Sequence, residues 1–76
     1  HYGVFALAGR AWIRHERGDH DAAVADLLRA AELRPDSLDQ DDGMQRKPRG
    51  VAIRVHGALQ RSGKDKLAAK LTPLLP

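Results

Sequence analysis

The stretch that decides the fold is LAGRAWIRHERGDHDAAVADLLRAAELRP, residues 7–35. It reads as two amphipathic helices joined by a tight turn at Gly18-Asp19. In the second helix Ala23, Leu27, Ala30 and Ala31 recur at helical spacing, and Val24 and Leu28 widen the stripe. Small side chains at Ala23 and Ala30 let another helix approach closely. Pro35 follows the last periodic residue, Leu33, and bars continuation of the helix. Asp19 is placed to cap the second helix, with Asp21 near its positive end.

Outward from this stretch, Tyr2–Arg17 forms the first helix. Phe5, Ala8, Trp12 and His15 make one line along it, and Val4, Leu7, Ala11 and Arg14 another. Gly3 and Gly9 each weaken it by roughly 1 kcal/mol relative to Ala and allow close backbone approach. Residues 36–50 (DSLDQDDGMQRKPRG) break the periodicity and read as a mobile loop that switches from acidic to basic. Pro48 opens a third helix over Arg49–Ser62, with Val51, Val55, Ala58 and Leu59 on one face. Ser62-Gly63 breaks it, and Lys64–Leu71 begins a fourth, with Leu67, Leu71 and Leu74 in line. Pro73 ends or kinks that helix near Leu71. Leu71, Leu74 and Leu75 need cover, from the chain itself or from a neighbour.

The 29-residue stretch resembles a tetratricopeptide repeat, a helix-turn-helix unit of about 34 residues. Gly18-Asp19 occupies the family's inter-helix turn. Ala23 and Leu27 stand for its Ala-x3-Phe, Ala30 for the next small site, and Glu32-Leu33-Arg34-Pro35 for its closing Glu-Leu-x-Pro. Departures fall on the first helix: Leu7 takes the Trp slot, Arg10-Ala11 replaces Leu-Gly, and Arg14 stands where Tyr is common. The second helix pair resembles a degenerate copy, since Ala68 follows Gly63 by five residues as Ala23 follows Gly18. The two glycines are 45 residues apart, however, and the surplus over one repeat falls in the loop.

The expected fold is therefore all-α: two antiparallel helix-turn-helix pairs stacked as a short repeat-type solenoid fragment in one domain, residues 1–76. Its parts are a helix pair over 2–35, the acidic-to-basic loop 36–50, and a helix pair over 49–75. The resemblance implies an interaction module rather than an enzyme. It turns the Phe5, Ala8, Gly9 and Trp12 line toward a concave groove, where Trp12 either anchors a peptide or packs against the second helix pair. The terminal-carboxylate clamp of some relatives does not carry over, because Ala8 and Trp12 occupy its places. A more apolar ligand with Arg54 at the rim fits better, making Phe5, Trp12 and Arg54 the expected partner-binding residues. The partner is a protein, a peptide or another subunit. Repeat modules generally need three or more units and a cap, so a larger assembly, a dimer or a capping piece is expected.

Composition sets the bounds. Seventy-six residues allow one small domain that buries only about 60–65% of its unfolded surface. With no Cys, neither a disulfide nor a thiolate metal site can reinforce a thin core. The aromatics are Tyr2, Phe5 and Trp12 alone. No 18-residue apolar run and no basic-then-apolar leader occurs, and the expected setting is cytoplasmic. A start at His1 rather than Met suggests a piece of something longer.

The net charge of +3 is uneven: residues 1–43 carry five Arg against nine acids (−4), and residues 44–76 carry eight Lys or Arg against Asp65 alone (+7). A basic-face nucleic-acid interface through Arg46, Lys47, Arg49, Arg54, Arg61, Lys64, Lys66 and Lys70 is the alternative function. Against it, the basic half has no aromatic for stacking, and the helix lacks the wedge of a membrane-surface binder.

No catalytic, cofactor or metal site is expected. His15-Glu16-Arg17-Gly18-Asp19-His20 misses the His-Glu-x-x-His zinc helix, because the second His comes one residue late and Gly18 interrupts. The two imidazoles are expected not to share a face. Asp39, Asp41 and Asp42 lack the sixth-place Gly and closing Glu of a calcium loop. Ser62-Gly63-Lys64 lacks the leading Gly of a phosphate loop and reads as turn chemistry.

Overall fold

The computed structural model describes residues 3–40 and 47–75. Tyr2, expected to open the first helix, and residues 41–46, where the loop changes charge, lie outside these. The described residues are all-helical, with α1 Val4–Glu16, α2 His20–Leu33, α3 Pro48–Arg61 and α4 Asp65–Ala69. Short 3-10 turns at Pro35–Ser37 and Thr72–Leu74 follow α2 and α4.

The bend at Gly18 is built as its sequence requires. Gly18 has φ +83°, its N–H donates to the His15 carbonyl at 3.0 Å, and the Asp19 N–H donates to that of Arg14 at 2.8 Å. This pair of bonds satisfies the last carbonyls of α1 and needs a left-handed residue, which glycine supplies without a Cβ penalty. The same closure recurs after α3. Gly63 has φ +75°, its N–H donates to Gln60 at 3.1 Å, and the Lys64 N–H donates to Leu59 at 2.8 Å. Asp19 stands at the N-cap of α2, but its side chain makes no capping bond. Its ψ of 67° lies outside the extended region from which a capping side chain reaches back.

These turns yield opposite expectations for two glycines. Gly18→Ala should destabilise the chain by about 1–2 kcal/mol, because an L side chain in the left-handed region carries that penalty. Gly9→Ala should stabilise it by about 0.5–1 kcal/mol by removing unfolded-state entropy. A Cβ at either site meets nothing within 4 Å, so backbone terms decide both signs. The close approach expected at Gly9 is therefore not made. Urea unfolding of the two variants checks the pair, and midpoints moving the same way would contradict it.

Helices α1 and α2 form a tightly packed hairpin, and α3 lies against both. The core between them holds Ala8 and Ala11 of α1, Ala23, Val24 and Leu27 of α2, and Val51, Ala52, Val55 and Leu59 of α3. Alanine at the crossing points keeps the helices close, as the small-residue stripe of α2 anticipates. A second cluster of Val4, Leu7 and Ala30 closes the far end of the hairpin. Leu33, read as the last apolar position of α2, is exposed instead.

Pro48 opens α3 as expected, standing as its first residue, a position where its missing N–H costs nothing. One expected element is corrected. The fourth helix is five residues long, ending at Ala69 instead of Leu71. Pro73 disfavours α geometry at Thr72, and the chain tightens, with Leu71 N–H bonded to Ala68 at 3.0 Å and Leu74 N–H to Leu71 at 2.9 Å. That tightening drives Leu71 and Leu74 fully into the core, so the chain itself covers both.

The ends of the 36–50 loop are pinned rather than loose. Leu38 is buried, and its carbonyl accepts the Arg49 N–H at 2.8 Å. The Arg49 side chain donates from Nε to Asp39 at 2.7 Å and from Nη1 to the Leu74 carbonyl at 2.8 Å. One guanidinium thus ties the loop, the start of α3 and the C-terminal turn together.

Candidate partner-binding face

Trp12 lies half-buried on α1, with part of its indole against the main core. The Arg54 guanidinium, reaching from α3, sits 5.5 Å from the centre of the indole ring. That separation is within cation–π range. Arg54 is itself exposed, and no carboxylate among the described residues pairs with it. Of the three residues expected to bind a partner, the structure brings these two together. Phe5 stands apart, two turns earlier on α1, where it lines a shallow cleft with Leu33, Arg34, Ser37 and Gln40.

The Trp12 face continues into the inter-helix turn. The His15 ring lies 5.9 Å from the indole and tilted by 48° to it. His15 and His20 approach each other with Nδ1 atoms 3.3 Å apart, one donating to the other. The expectation that these imidazoles do not share a face is thereby corrected. The late spacing and the Gly18 interruption predict their separation, whereas the turn at Gly18 brings the rings together from facing helix ends. Among the described residues, no third His, Cys, Asp or Glu completes a cluster around them.

Burial lowers the His15 pKa from its ordinary value of 6.5, and the positive charge of His20 and then Arg61 pushes the same way, opposed by Glu16. A histidine whose pKa is depressed in the folded state binds its proton more readily when unfolded. Stability therefore rises with pH through the window just below about 6.5 and is lost as pH falls through it. Urea midpoints between about pH 7.5 and 5.5 should fall on acidification, and His15→Gln should flatten that trend. An equally steep fall in the variant would remove His15 as the cause.

The sequence reading missed the strongest polar contact of the hairpin. Asp26 of α2 is buried and accepts from Arg10 Nε at 3.0 Å and Nη2 at 2.8 Å. Arg14 Nη1 lies 3.2 Å and 3.3 Å from its two oxygens. The signal was present: residues 23, 26, 27 and 30 form one helical stripe, and an acid on an apolar stripe requires a partner. Arg10 and Arg14, four residues apart, share the α1 face that meets it.

No family model matches the chain, and no match is found among curated proteins or solved structures. Among the described residues, no helix is long and apolar enough to cross a membrane.

Proposed function

We propose that this chain is a non-catalytic interaction module of tetratricopeptide-repeat type, holding an extended peptide or a partner subunit along the face shared by α1 and α3. The observation that carries this reading is the Trp12–Arg54 pair. A half-exposed indole under an exposed guanidinium offers an apolar anchor and an adjoining anion contact, a combination over-represented at binding hot spots. An apolar residue beside an acidic one is the ligand chemistry that suits it. The proposal includes a solenoid arrangement with further repeats or a second copy, and a cytoplasmic setting.

Selection of binders from a random peptide display library tests it. Enriched peptides should combine an apolar and an acidic residue, and Arg54→Glu should weaken them about tenfold or more, as loss of a desolvated charge contact does. Arg54 is exposed, so this variant keeps the fold. Trp12→Ala should abolish binding while circular dichroism stays helical. Peptides that bind both variants as well as the parent chain would overturn the reading.

A second reading rests on the exposed cations Arg61, Lys64, Lys66 and Lys70 around the turn between α3 and α4. None of them has an ion-pair partner among the described residues. Affinity for mixed-sequence RNA that falls steeply with salt would favour it, and absence of binding at low salt would eliminate it.

A further inference from the structure

The flank of α3 that meets Trp12 carries a second cation. Arg61 follows Arg54 by seven residues, about two turns further along the same side of the helix. Its guanidinium folds back over Gly57, where a Cβ would stand 3.4 Å from Nη1. From there its charge acts on His15. Arg54 and Arg61 thus face Trp12 and His15 in the same order along α3 and α1. On the reading of the Trp12 face as a peptide site, we propose that Arg61 and the bonded His15–His20 pair form a second anion subsite there, taking a further Asp or Glu side chain of the same peptide.

The charges around the pair suit an anion. Arg61 faces His15 from α3 and His20 from α2, and the neighbouring acid on α1 is the exposed Glu16. Arg61 has no ion-pair partner among the described residues, Glu16 included. Spacing then restricts the ligand. Seven helical residues rise about 10.5 Å, a span an extended peptide covers in about three residues. The two acidic residues should therefore lie three positions apart, with the apolar anchor for Trp12 beside the first.

The histidine pair adds a proton to this contact. In the neutral pair one Nδ1–H donates to the other Nδ1. The accepting ring then carries its hydrogen on Nε2, and the donating ring has a bare lone pair on its own Nε2. A proton from solvent that binds this lone pair leaves the Nδ1–Nδ1 bond intact. Both Nε2 atoms become donors, and the pair becomes a monocation suited to a carboxylate. In the free chain burial, His20 and Arg61 oppose such a charge on His15, and Glu16 favours it. A bound carboxylate adds to the favourable side and raises the His15 pKa. By linkage, affinity rises as pH falls through the window around and below 6.5.

The test takes a peptide recovered by the display selection in two forms, with Glu or with Gln three positions from its acidic residue. At pH 5.5 the Glu form should bind the full chain about tenfold more tightly than the Gln form, and at pH 7.5 by about threefold or less. Asp and Glu stay largely ionised over this range. Arg61→Gln should bring the ratio near one at both pH values, and Arg61 is exposed, so that variant keeps the fold. His15→Gln with His20→Gln should leave the ratio independent of pH, with circular dichroism reporting that the chain is helical. NMR titration of the parent chain should show the His15 pKa rising on addition of the Glu form. A ratio near one in the parent chain, or a pH trend that survives the double histidine change, would overturn the subsite and leave the Trp12–Arg54 site standing. A selection that yields no binder would overturn both. Displacement of the Glu form by mixed-sequence RNA at physiological salt would overturn the subsite in favour of a polyanion surface.

Discussion

Replacing Asp26 by Ala is expected to destabilise the chain by about 3 kcal/mol, close to what breaking a buried ion pair costs. The carboxylate is 5% exposed and accepts from two arginines of α1, whereas the guanidiniums keep about a third of their surface in water. That asymmetry sets the magnitude. Truncation removes charge-assisted bonds and leaves Arg10 and Arg14 facing each other without an anion between them, but their solvated edges relieve part of the penalty. Asp26→Asn keeps the shape and loses the charge, and should cost about 1–2 kcal/mol. In a double-mutant cycle, Arg14→Ala should then have little further effect once Asp26 is gone, with a coupling of about 1 kcal/mol or more. Urea unfolding measures all three. Independent, additive losses would mean that the contact does not hold the hairpin together.

What could be read along the chain and what could not divide by whether one helix suffices to show it. Gly18 and Gly63 are legible because a helix end that needs positive φ selects glycine wherever the chain folds next. Pro35 and Pro48 are legible for a related reason, since each acts on its own backbone. The alanine stripe of α2 likewise announces a buried face. Asp26 needed α1 as well: within α2 it interrupts the apolar stripe, and only the opposing arginines make it a core residue. The same holds for His15 and His20, which diverge on a single helical wheel and converge across a turn. Leu38 and the shortened α4 depended on longer-range packing, through Arg49 in one case and through the pull of the core on Leu71 and Leu74 in the other. Trp12 and Arg54 were singled out on separate helices by a family resemblance. Their stacking follows from α3 lying across α1, which no local pattern encodes.

The core's reliance on alanine leads to the other large expected effect. Leu27→Ala should cost about 4–5 kcal/mol, the upper part of the range for such truncations. Leu27 is fully buried, as are Ala8, Ala11 and Ala23 in the same cluster. The penalty for a truncated leucine depends on how far its neighbours relax into the void. Alanines have no rotatable side chain to swing inward, and the helix backbones cannot move closer while Val24, Val55 and Leu59 hold them apart. The cavity therefore persists. For a chain this short, total stability is on the order of 4–11 kcal/mol, so the variant should be largely unfolded or close to it at 37 °C. Leu27→Met, which conserves volume, should lose less than about 1.5 kcal/mol. The contrast separates cavity from general sensitivity at the site. Should Leu27→Ala lose no more than Leu27→Met in urea titrations, α1, α2 and α3 do not converge on this residue, and the packing of α3 across the hairpin would have to be abandoned.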